Sequence, residues 1–185
     1  MATIAKPHDL FAADSDVAAL VYARGDEPDA LLEAFTADLA ARRLDVAGLL
    51  QRRRGNGTDS WVDFRLVPDR GILGTGRSCA DALSAAEPSL LDAVRRRPDL
   101  LVVSRFGSAE LSGGGLLRVL VEAVRLDVPI LIAVPQALFS DWLGFSGGLT
   151  IRLDCHRSGL DRWWASLSKP PPSRRPFDTI CERAK

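Results

Sequence analysis

The chain has 185 residues, enough for one domain of ordinary size with a real apolar core and too few for two comfortable ones. Hydrophobic residues make up 46% and charged residues 26%, which excludes a wholly disordered or fibrous chain. Lys plus Arg and Asp plus Glu are 24 each, a zero formal charge that argues against bulk nucleic-acid binding and leaves room only for a local basic patch.

In chain order, a short polar leader occupies residues 1–16. It carries one Lys and an interrupting Pro7, with no apolar run long enough for a signal peptide. Val17–Tyr22 is a continuous apolar run, the pattern of a strand covered on both faces. A turn follows at Arg24–Pro28, where Asp26 or Asp29 is expected to cap a helix that carries Leu31, Leu32, Phe35 and Leu39 to about Arg43. Val46–Gln51 and the alternating run Trp61–Val67 make a hairpin about the Gly55-Asn56-Gly57 turn signal. Gly71–Ala80 reads as a glycine-rich loop, and Pro88 as the opening of a helix ending near Arg97.

Leu100–Ser104 is a buried strand, followed by a loop over Arg105–Gly115. Leu116–Leu126 is an amphipathic helix and Pro129–Val134 another buried strand. A short helical segment covers Gln136–Leu143, Thr150–Leu153 is an edge strand, and Leu160–Leu167 is the last helix. Residues 168–185 form a tail rich in Pro and Arg, expected to be disordered. The apolar stretches are far shorter than the ~20 residues a membrane span needs, so no membrane insertion and a cytoplasmic location are expected.

Strands alternating with helices predict a single three-layer α/β domain over residues 17–167, with a mostly parallel sheet and an internal β-hairpin. In such sheets ligands bind beyond the carboxyl ends of the strands. That puts the segments after Tyr22, Ser104 and Val134 on one rim. A phosphate-binding P-loop would sit after the first strand, but ARGDEPDALL has one glycine, no lysine and no hydroxyl residue at the helix start. Three carboxylates crowd that helix end instead. The strand ending at Ser104 offers Arg105 where a nucleotide hydrolase wants an acid for Mg²⁺, and the first carboxylate beyond is Glu110, a candidate ion-pair partner for Arg105. The residue set therefore leans against an enzyme, and no cofactor is implied.

The cysteines Cys79, Cys155 and Cys181 form neither a disulfide framework nor a CxxC pair, and Cys155-His156 is no metal pair because adjacent strand residues point to opposite faces. With His8 in the leader, His156 is the one histidine left as a base, and no nucleophile motif surrounds it. The run Arg52-Arg53-Arg54 reads as a solvated basic face with no nucleic-acid motif. Of the 24 basic residues only Lys6, Lys169 and Lys185 are lysines, a bias that comes from genome composition or from anion recognition.

The segments VVSRFGSAE, VPILIAVP, WLGFSGG and RWW, with AALVY, GLLQR and RSC, resemble domain-of-unknown-function family 2478 over about Val17 to Leu167. The resemblance implies a P-loop NTPase-like topology with decayed nucleotide motifs and a link to molybdenum uptake. It points to Arg77, Ser78, Cys79, Arg105, Gly107, Glu110, Trp142 and Phe145. The family usually has Asn before RFG, where Ser104 stands here with a shorter hydrogen-bonding reach. Two arginines with backbone N–H groups near Gly107 and Gly113–Gly115 suit an oxyanion. Cys79 is either an activated thiol or a buried inert one, and Trp142 and Phe145 are either a stacking platform or packing beneath the rim. The expected function is a non-catalytic cytoplasmic protein that binds a small oxyanion such as molybdate. The alternatives are a residual nucleotide hydrolase or phosphotransferase using Arg105 and Glu110, and a regulatory partner of a transporter subunit. A homo-oligomer is compatible with all three.

Overall fold

Successive side chains of a strand point to opposite faces, so each uninterrupted apolar run feeds two cores at once. In the computed structural model, which describes residues 15–54, 61–68, 72–76 and 79–167, this makes the centre of a sheet. The strands are β1 (Val17–Tyr22), β2 (Val46–Arg54), β3 (Trp61–Val67), β4 (Ile72–Gly76), β5 (Leu100–Val103), β6 (Ile130–Pro135) and β7 (Ile151–Asp154). The helices are α1 (Pro28–Ala41), α2 (Cys79–Arg95), α3 (Ser108–Leu111), α4 (Leu117–Arg125), α5 (Phe139–Phe145) and α6 (Arg157–Leu167), with a 3₁₀ turn at Gln136–Leu138. The leader as far as Asp14, the Gly55-Asn56-Gly57 turn and the tail from Ser168 lie outside the described residues.

The strand order is β4-β3-β2-β5-β6-β1-β7. Pairing is parallel from β2 through β7 and antiparallel in β2–β3 and β3–β4. Ala18 and Leu20 of β1, Leu100 and Vals such as Val102 of β5, and Leu131 and Ala133 of β6 face Leu32, Phe35 and Leu39 of α1 and Leu160, Trp163 and Trp164 of α6. Their neighbours Ala19, Val21, Leu101, Val103, Ile130, Ile132 and Val134 face the other way, onto α2, α4 and α5. The molecule is therefore a three-layer α/β structure with a mostly parallel sheet.

Three local expectations are corrected. Gly71–Ala80 is not all loop: Ile72–Gly76 pairs with β3 in the register Val62↔Gly76 to Arg65↔Ile72. Its glycines erase the alternation that marks a strand, and the open edge of β3 supplies the pairing. Pro88 does not open α2, which starts at Cys79 and carries the proline inside it. The buried stripe Leu83, Ala86, Leu90 and Val94 runs through the proline and offsets the lost backbone hydrogen bond. The loop after β5 contains the short helix α3.

The connection from β1 leads to α1 on one face, while that from its neighbour β6 leads to α5 on the other. Adjacent parallel strands whose connections diverge leave a crevice at their carboxyl ends. No helix among the described residues is long and apolar enough to cross a membrane.

Candidate functional site

The crevice begins with the turn after β1. Gly25 adopts φ +103°, and the Asp26 carboxylate accepts the Ala23 N–H at 2.8 Å, closing the turn on itself. Neither Asp26 nor Asp29 caps α1, contrary to expectation: the N-cap is Glu27, without a side-chain bond, and Pro28 takes the first helical position. Asp29 projects from the first turn to Arg105, whose Nη2 donates to its Oδ2 at 2.7 Å. The Arg105 guanidinium lies 5.6 Å from the centre of the Tyr22 ring. The pair is largely withdrawn from water, the side chains being 32% and 16% exposed, and Asp29 Oδ1 is buried without a hydrogen bond.

Glu110 does not pair with Arg105. It is 4% exposed, and its carboxylate accepts the N–H groups of Gly107 at 3.0 Å and Leu116 at 3.1 Å. Gly115, at φ +59°, lies so close that a Cβ there would run into this carboxylate. The glycine-rich segment is thus an anion-holding nest, and the protein's own carboxylate already fills it. Ser104 is buried as well, accepting the Gln51 N–H and donating to the Leu49 carbonyl at 2.9 Å, so its hydroxyl ties β5 to β2.

Around Arg105 the rim opens into a cleft of ≈ 540 Å³. Its wall carries Arg24, Arg52 and Arg105 together with Asp26, Glu27, Asp29 and Glu33. Arg52, expected on a solvated basic face, is exposed and also lines the cleft, where its Nε lies 3.9 Å from Glu33. Arg65 holds the same Glu33 at 3.1 Å. Cys155, next after β7, joins this neighbourhood. Burial first, and then the charges of Asp26 and Asp29, push its thiol pKa up, so it stays protonated at neutral pH.

The other candidates lie apart. Trp142 is buried and packs edge-on to Phe106 at 5.2 Å, with Phe145 at 5.6 Å, and its Nε1 donates to Thr150 Oγ1 at 3.2 Å. Trp142 and Phe145 line a second groove beside α4 and not the cleft of Arg105. Arg77 and Ser78 lie outside the described residues. Cys79 opens α2 after β4, and β3 and β2 stand between β4 and β5. Sequence reasoning missed Asp29 as the partner of Arg105, Arg24 and Glu33 as residues of the same cleft, and Cys155 as a neighbour of Asp26 and Asp29. One usable signal existed for Cys155, since a strand parallel to β1 must deliver its next residue to the same rim.

A model of the family described as protein of unknown function (DUF2478) matches residues 17–163. The molybdenum import ATP-binding protein ModC 2 of Bradyrhizobium diazoefficiens is 32% identical over 179 residues, covering 90% of this chain and 20% of that protein. The chain thus spans about a fifth of the length of that relative. Among solved structures, the RuvC structure of Thermus thermophilus gives a TM-score of 0.27 at 19% identity, covering 69% of this chain and 83% of that one. A likeness at that level carries no argument about fold or function.

Proposed function

The chain belongs to DUF2478, a family of unknown function, and from that premise we propose a non-catalytic cytoplasmic protein that takes a small oxyanion of the molybdate class at the rim and serves molybdenum import. The frame is that of a P-loop NTPase whose nucleotide parts have been replaced. The kinship with a protein named for molybdenum import supplies the context. The single observation that carries the site is the Arg105–Asp29 pair. A guanidinium in this cleft is already holding one carboxylate oxygen, with Arg24 and Arg52 on the same wall.

In this reading Asp29 is the internal stand-in for the ligand. Two like unit charges 4 Å apart repel by about 4 kcal/mol at an effective dielectric constant of 20, so a dianion cannot simply add beside the Asp29 carboxylate. Binding is an exchange: Arg105 releases Asp29, which turns to water, and takes the oxyanion. Glu110 has no part in this, because two backbone N–H groups hold it. The same fact counts against a hydrolase that would use Arg105 and Glu110 together.

Isothermal titration with molybdate, on the wild type, Arg105→Ala and Asp29→Asn, tests the exchange. The reading requires Asp29→Asn to bind more tightly than the wild type and Arg105→Ala more weakly. Failure of all three to bind at millimolar molybdate leaves a cleft closed by its own ion pair and a rim better read as a contact surface for a transporter subunit.

A further inference from the structure

Away from the rim, the described surface has an apolar groove of ≈ 530 Å³ between α4 and the segment that follows α5. Val121, Val124, Phe145 and Leu149 line it while remaining exposed, Leu149 by 72% and Val124 by 56%. Large aliphatic and aromatic side chains gathered in one concave patch mark a surface built to be covered. We propose that the groove is the seat of the chain's own leader, with Leu10 and Phe11 as the side chains that fill it.

The chain outside the described residues identifies the occupant. Ser15 itself lines the groove, so the leader meets the described structure at its mouth. Two hydrogen bonds hold it there: Ser15 Oγ donates to the Leu149 carbonyl at 3.0 Å, and Trp163 Nε1 donates to the Ser15 carbonyl at 3.2 Å. Phe11 precedes Ser15 by only four residues, about 14 Å of extended chain, which is within reach of Val121 and Val124 one helical turn apart. So short a tether gives the Leu10-Phe11 doublet a high effective concentration at the groove. The tail is a poorer match. Leu167, the last described residue, packs on the opposite face of the sheet with α1 and α6, and no large apolar side chain follows until Phe177.

Hydrogen exchange by mass spectrometry on the full chain tests the seat from both sides. Peptides from residues 1–14 should exchange roughly tenfold more slowly in the wild type than in Val124→Asp or Val121→Asp. Both valines are half exposed, so these variants keep the core intact. Phe11→Asp should in turn speed exchange in the α4 peptide. Equal leader exchange in wild type and groove variants overturns the proposal. So does a dimer that Val124→Asp dissolves while the leader exchanges at the same rate throughout, because a second copy is then the occupant.

Discussion

Arg105, just beyond β5, and Asp29, in the first turn of α1, meet at 2.7 Å across the end of β6, the strand between β5 and β1. Two residues 76 positions apart thus close the crevice where a ligand would enter. Removing a charge-assisted hydrogen bond costs about 1.5–3 kcal/mol, so Arg105→Ala should weaken molybdate binding by roughly 10- to 150-fold. Arg105→Lys should rescue it only in part, because the planar fork is lost. Asp29→Asn should strengthen it by about tenfold or more, having removed the competitor. Arg52→Ala cannot serve as the control, since Arg52 lines the cleft. Arg118, 77% exposed and paired with Glu87, can, and its alanine variant should match the wild type in calorimetry.

Mg²⁺-dependent ATP or GTP turnover should not exceed background. The turn after β1 carries no lysine, and β5 is followed by Ser104 and Arg105 in place of an acid. A phosphate-release assay checks this, and turnover that vanished in Arg105→Ala would restore the hydrolase reading.

Gly115→Ala should be costly. The left-handed backbone disfavours a Cβ by about 1–2 kcal/mol, and that atom would also strike the buried Glu110 carboxylate. Glu110→Gln replaces one acceptor oxygen with an amide that faces an N–H donor, at about 1–3 kcal/mol. Urea unfolding should show a lower midpoint for both variants with an unchanged slope.

Pro88→Ala should act the other way. Pro88 is exposed inside α2 and withholds one helical N–H. Restoring it returns up to about 3 kcal/mol, less the 0.4–1 kcal/mol by which the proline restricts the unfolded chain. A higher Tm is the expected result.

The Cys155 thiol titrates above its ordinary range, so the folded state holds that proton more tightly than the unfolded one. The contribution to stability is full below the unfolded thiol pKa and is lost as pH rises through the folded value. Alkylation should accordingly be slow at neutral pH and accelerate in alkali. The double variant Asp26→Asn with Asp29→Asn should react faster than the wild type at the same pH, followed by mass spectrometry.

The runs at Val17–Tyr22, Leu100–Val103 and Ile130–Val134 made the fold class legible without any structure, because apolar runs too short for a helix and bounded by turn signals suit strands covered on both faces. They also determined which three segments share a rim, since parallel strands deliver their carboxyl ends to one side. The sequence by itself showed the missing lysine and the arginine that replaces an acid. Only the tertiary structure decided what Arg105 and Glu110 do. Glu110 is the carboxylate nearer to Arg105 along the chain, yet α3 folds it back onto the Gly107 and Leu116 N–H groups. Asp29 is far away in sequence, and the strand order brings it to Arg105. β4 and the start of α2 were hidden for the same reason: a glycine-rich segment becomes a strand when a neighbour's open edge needs partners, and a helix runs through a proline when buried side chains hold both halves. Local pattern records which faces must be buried. Which distant charges meet depends on the order in which the strands are laid side by side.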